Sequence, residues 1–152
     1  IEDNLKMGYK EATEEDMKKA INISQSESFI NKLPLGLKSE VSQGGLNFSG
    51  GQKQRLSIAR ALIKRAPIYI FDDSFSALDL KTDSALRKAL KENMTDATKI
   101  IIAQRVSTIM DADQILVLDE GNLVGIGKHE DLIKNCSVYQ EIAKSQINIK
   151  EE

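Results

Sequence analysis

Ser49-Gly50-Gly51-Gln52 is a stretch built to meet an anion. Ser49 is a preferred helix N-cap and Gln52 stands three residues later, the reciprocal capping pattern. Leu56, Ala59, Leu62 and Ile63 follow at helical spacing. Lys64 and Arg65 fall where cations suit the far end of the helix dipole. Such an N-terminus offers unpaired N–H groups and a partial positive charge. Two glycines remove the side chains that would keep an anion at a distance. The chemistry this predicts is a phosphate contact.

A second set of residues carries carboxylates. Ile68-Tyr69-Ile70-Phe71 is an apolar run that delivers Asp72 and Asp73 at its end. Ligands of α/β sheets bind at that edge, and in P-loop NTPases an aspartate so placed helps to hold Mg²⁺. Alone, the same pattern reads more readily as an acidic turn after a buried strand. Asp73 adds a like charge beside Asp72, which is unfavourable unless a cation or proton lies between them and so favours a metal. Ser76-Ala77-Leu78-Asp79, taken alone, is a helix cap with Asp79 ahead of Leu80.

These residues must be positioned by the elements around them. Thr13 opens an acidic helix start, followed by apolar Met17, Ala20, Ile21 and Ile23. Ser28 to Leu33 is expected to form a second short helix, stopped before Pro34. Turn signals run from Pro34 to Gly45, and the helix after Ser49 is expected to end near Ala66-Pro67. Beyond Pro67 the pattern changes to short apolar runs at 68–71, 100–103 and 115–118, with helices expected over 80–93 and 106–111. Runs apolar on both faces, alternating with helices, predict a buried parallel α/β sheet. Asp119-Glu120-Gly121-Asn122 predicts a turn into an antiparallel strand at 123–126, and two short helices should close the chain between His129 and Ser145. The expected organisation is a helical part over 1–66 and an α/β part over 67–152.

Composition sets outer bounds. A chain of 152 residues with 41% hydrophobic and 29% charged content fits one globular domain or a piece of one. The formal net charge of -2 gives no reason to expect a nucleic-acid surface. Cys136 is the single cysteine, so no intramolecular disulfide can form. No apolar segment approaches the roughly 18 residues needed to span a bilayer. His129 and Cys136 fit ordinary surface and packing positions, and the charged run Lys81 to Lys91 fits a solvated helix face.

In order and spacing, these motifs resemble the nucleotide-binding domain of ATP-binding cassette proteins. Ser49-Gly50-Gly51-Gln52 is similar to the family's signature motif, with Phe48 where leucine is usual. Ile68 to Asp72 resembles its Walker B strand, Ser76 to Asp79 its D-loop, and Gln104 stands at its switch position. Glu40-Val41-Ser42-Gln43-Gly44-Gly45 resembles the coupling stretch of exporters. The resemblance implies a partial P-loop NTPase core of RecA-like type, with mostly parallel strands and an α-helical subdomain. It implies ATP and Mg²⁺ as cofactors, with Asp72 toward the metal. Asp73 and Gln104 take the catalytic positions, and Ser49, Gly50, Gly51, Gln52 and Asp79 contact nucleotide. It further implies a second nucleotide-binding domain and transmembrane domains as partners, at the cytoplasmic face of the cell membrane, and no nucleic acid.

Two positions depart from the family pattern. Similar proteins place a glutamate after the Walker B aspartate as general base, where Asp73 is one methylene shorter. They place a histidine at the switch, where Gln104 can donate a hydrogen bond but cannot become a cation. Both changes predict weakened hydrolysis with ATP binding kept, hence a degenerate site in a heterodimeric exporter. No G-x-x-x-x-G-K-[ST] phosphate loop occurs in the 152 residues. The chain is therefore expected to be the later portion of a larger domain, inactive when isolated. The alternative is a regulatory or non-transport ATPase module of the same family.

Overall fold

A computed structural model describes residues 1–147. Contacts divide the chain into two compact units, residues 1–102 and residues 103 onward.

The first unit is mainly helical, with α1 (Glu2–Lys6), α2 (Glu14–Ile23), α3 (Glu27–Ile30), α4 (Gly50–Ile63) and α5 (Leu80–Asn93). Short 3₁₀ turns cover Gly36–Lys38 and Gln43–Gly45. Thr13 caps α2 through a reciprocal box with Asp16, as the acidic opening predicts. The apolar stripe Met17, Ala20, Ile21 and Ile23 is buried, and α2 packs on α4 through it. Phe29 meets Phe48 edge-on at 6.0 Å, and the Arg55 guanidinium lies 4.9 Å above the Phe29 ring. These contacts fix the entry to α4 against α3.

Strand β1 (Ile68–Asp72) pairs in parallel with β2 (Thr98–Ile102), from Ile68 opposite Thr98 to Asp72 opposite Ile102. The Tyr69 hydroxyl accepts from the Ala66 N–H at 2.9 Å, closing the short α4–β1 link. Tyr69 and Phe71 are buried and stack together at 6.2 Å. The expectation of strands buried on both faces is corrected here. Ile68, Ile70, Ile100 and Ile102 remain 56%, 67%, 46% and 49% exposed. Alternation along β1 therefore separates an aromatic inner face from an isoleucine outer face.

The second unit contains α6 (Val106–Ile109), β3 (Ile115–Asp119), β4 (Asn122–Gly127), α7 (His129–Asn135) and α8 (Ser137–Ile147). The run at 115–118 does form a strand, but it pairs antiparallel with β4 and with no other strand among the described residues. The two-residue turn Glu120-Gly121 holds both residues at positive φ, +47° and +80°, as a hairpin of this kind requires. Ile115, Val117, Leu132, Cys136 and Tyr139 form this unit's core. His129 Nδ1 lies 2.8 Å from the Tyr139 hydroxyl, and burial pushes that hydroxyl's pKa up. The histidine is thus half-buried and structural rather than a plain surface residue.

The solvated face expected for Lys81 to Lys91 has one exception. Asp83 is buried and accepts from Arg87 Nε at 3.3 Å, one turn along α5. A buried charge of this kind is tolerated only with such a partner.

Candidate functional site: the signature helix and its loops

The start of α4 is closed by a reciprocal capping box. The Ser49 N–H donates to Gln52 Oε1 at 2.9 Å, and the Gln52 N–H donates to Ser49 Oγ at 3.3 Å. The Lys53 N–H donates to the Ser49 carbonyl at 2.9 Å. The box thus satisfies the N-cap and third-position donors and leaves those of Gly50 and Gly51. The helix concentrates its unspent hydrogen-bonding capacity and its dipole on two glycines.

The glycines are not equivalent. A Cβ on Gly50 would meet only the Ala77 Cβ, at 3.6 Å. A Cβ on Gly51 would lie 2.9 Å from the Ala77 carbonyl oxygen and 3.4 Å from Leu78 Cδ2. Gly51 is therefore required by the packing of α4 on this chain's own 76–79 loop. Room for an anion is a reason for glycine only at position 50.

Asp72 ends β1 with its carboxylate exposed, and Asp73 follows at φ +47°. The Asp73 N–H still donates to the Ile102 carbonyl at 3.0 Å, extending the ladder by one residue. Its side chain therefore leaves the sheet edge at a fixed point. No group of three or more His, Cys, Asp or Glu side chains suited to a metal exists among the described residues. Asp72 nonetheless fits Mg²⁺, which is commonly held by one carboxylate, waters and substrate phosphates.

Asp79 is the N-cap of α5. Its carboxylate accepts from the Thr82 N–H at 3.0 Å and from the Thr82 hydroxyl at 2.7 Å. The Thr82 hydroxyl, followed by its N–H, holds the Asp79 carboxyl below the usual aspartate range. A lowered folded-state pKa stabilises above the unfolded value and loses that contribution as pH falls through the folded one. Asp79→Asn should therefore lower the melting temperature at neutral pH. The two proteins should converge below about pH 4, the ordinary aspartate range; thermal melts against pH check this.

Gln104 lies in the second unit, exposed, just ahead of α6. Its carbonyl accepts from Gln146 Nε2 at 2.7 Å, and Gln146 Oε1 accepts from the Val106 N–H at 2.8 Å. Helix α8 thus holds the Gln104 segment from both sides by its backbone. Nothing in the sequence marks Gln146, because a polar residue 42 positions downstream has no local pattern linking it to Gln104.

Asn47 was likewise invisible as an organiser. Its side chain accepts from the Ser42 hydroxyl at 2.9 Å and donates to the Glu40 carbonyl at 2.9 Å. Gly44 and Gly45 bend this loop at φ +65° and +64°, conformations that favour glycine. The Glu40–Gly45 stretch is thereby tied to the residues that lead into Ser49.

The chain is similar to known proteins over most of its length. A family profile described as ABC transporter matches residues 2–76. An uncharacterized ABC transporter ATP-binding protein of Mycobacterium tuberculosis is 46% identical over 149 residues, covering 96% of this chain and 25% of that protein. An ATP-dependent lipid A-core flippase of Photobacterium profundum is 43% identical over 131 residues, covering 86% of this chain and 22% of its own length. The structure of a bacterial Atm1-family ABC exporter with ATP bound superposes with a TM-score of 0.92 at 39% identity, covering 95% of this chain and 26% of that one. The chain thus spans about a quarter of the length of the relatives it matches. Motif order, helix-capping geometry and these likenesses together place the chain in the ABC transporter family, as part of its nucleotide-binding domain.

Proposed function

We propose that the chain is part of the ATPase domain of an exporter whose two nucleotide sites are unequal. Its capped α4 would complete an active site on a partner nucleotide-binding domain, with the Gly50 and Gly51 N–H groups and the Ser49 side chain toward the γ-phosphate of the partner's ATP. Its own site would bind ATP and turn it over slowly. The observation that carries this reading is an intact Ser49–Gln52 box with two unspent glycine donors, in a chain whose general-base position is Asp73 and whose switch position is Gln104.

In that reading, residues 1–66 act as the signature-bearing helical part and residues 67–152 as the α/β part of the ATPase core. Bound Mg²⁺ would neutralise phosphate charge, with Asp72 among the residues that hold it. Asp73 would orient and deprotonate the attacking water from a backbone point fixed by the Ile102 carbonyl. Gln104 would donate a hydrogen bond to the γ-phosphate without adding charge. Asp79, already engaged by Thr82, would hold the start of α5 beside the nucleotide.

No helix among the described residues is long and apolar enough to cross a membrane. Transmembrane domains would be contributed elsewhere in the transporter, placing this chain at the cytoplasmic face of the membrane. An open groove of about 800 Å³, lined in part by Val41, Phe48 and Arg60, adjoins the Glu40–Gly45 stretch. It has the size and mixed lining to seat a segment of such a domain.

The test uses the full-length pair. Replacing the partner's general-base glutamate by glutamine should abolish rapid hydrolysis and leave only the slow site. Vigorous turnover surviving that change would show that the sites are equal and the reading wrong.

A further inference from the structure

Gln54 stands on α4 two residues past Gln52, outside the motif itself. Its side chain is nevertheless fully committed. Gln54 Nε2 donates to the Asp73 carbonyl at 3.2 Å and lies 3.1 Å from Ser76 Oγ. Gln54 Oε1 accepts from the Ala77 N–H at 3.0 Å. Both ends of one amide thus hold the loop that leaves β1, across 19 to 23 residues of sequence. The Ser76 hydroxyl also donates to the Asp73 carbonyl, at 3.0 Å. Directly above, the absent side chain of Gly51 lets the Ala77 carbonyl seat against α4.

We propose that Gln54 is a positioning residue that fixes the Asp73–Ala77 loop to the signature helix as one rigid piece. Asp73 sits at φ +47°, a conformation an aspartate occupies only when its surroundings determine it. The ladder bond to Ile102 fixes its N–H side, and Gln54 fixes its carbonyl side. The direction of the Asp73 side chain is thereby set from α4. The Gly50 and Gly51 donors sit on the same two helical turns. A shift of α4 on meeting a phosphate would carry the general-base position with it.

This proposal rests on the reading of Asp73 and α4 as parts of two nucleotide sites. The experiment separates failure of the one from failure of the other. In the full-length transporter, Gln54→Leu keeps the bulk and removes all three hydrogen bonds. Gln54→Glu keeps an acceptor for the Ala77 N–H and removes the donor to Asp73. Hydrogen exchange of the Ala77 amide, measured without nucleotide, should be about tenfold faster in Gln54→Leu and near the parent rate in Gln54→Glu, the size expected for one backbone bond released. With ATP, in a transporter whose partner general base has been disabled, both variants should lose about tenfold in the remaining single-site kcat with KM within about twofold, because positioning and not nucleotide affinity is altered. Unchanged Ala77 exchange in Gln54→Leu overturns the clamp, as does an unchanged kcat in Gln54→Glu. If Gln54→Leu does not fold, Gln54→Glu alone decides through its kcat and KM. A parent transporter that hydrolyses no ATP would refute the functional reading, while the exchange rates would still decide the clamp.

Discussion

Gly50→Asp in the assembled transporter should cut hydrolysis at the partner's site by about 10²–10³-fold and leave the melting temperature of this chain unchanged or slightly raised. The side chain has room, since a Cβ at position 50 meets only the Ala77 Cβ at 3.6 Å. A carboxylate in the first helical turn also complements the dipole, by about 0.3–1 kcal/mol. The same carboxylate would stand where a γ-phosphate is expected. Two unit charges about 4 Å apart near a protein surface repel by about 4 kcal/mol. Each ~1.4 kcal/mol is a factor of ten, so repulsion outweighs any gain in helix stability. Gly51→Ala is the contrast, because its Cβ would press on the Ala77 carbonyl at 2.9 Å. That variant should lose stability as well as activity. Steady-state hydrolysis and thermal melts on both variants distinguish a ligand effect from a packing effect. Full activity in Gly50→Asp would remove the signature from any phosphate contact.

The opposite change is expected at Asp73. In a transporter whose partner general base has been disabled, Asp73→Glu should raise the residual hydrolysis by about 10- to 100-fold. One methylene moves the carboxylate by more than 1 Å, and a misplacement of that size costs a general base about 10²-fold. The gain has a structural cost. Asp73 occupies a left-handed conformation that aspartate tolerates better than glutamate, so the variant should lose about 1 kcal/mol of stability. A hundredfold gain corresponds to about 2.7 kcal/mol of barrier, so the kinetic effect should dominate. Single-site turnover together with a melt checks both halves. No rise in turnover would mean that Gln104, rather than the short carboxylate, limits the site.

What the sequence made legible was local. Ser49 and Gln52 announce their reciprocal box within four positions, Thr13 does the same for α2, and the Glu120-Gly121 turn declares its hairpin. Helix α5 runs over Leu80–Asn93, the span its pattern predicts. The error lay in the apolar runs. Ile68-Tyr69-Ile70-Phe71 carries no period-2 signal, yet its aromatics turn inward and its isoleucines outward. Uniform hydrophobicity cannot reveal that split. Gln54, Asn47 and Gln146 were invisible for another reason. Each is an ordinary polar residue whose importance lies in the backbone it meets, in two cases 19 or more positions away. Only the fold brings donor and acceptor together.

The isoleucine face of β1 and β2 has a consequence for the chain's life outside an assembly. Two short strands with solvent on one side and open edges offer another chain both a greasy surface and a hydrogen-bonding template. Among the described residues these isoleucines and strand edges make the separated polypeptide liable to stick to itself at high concentration.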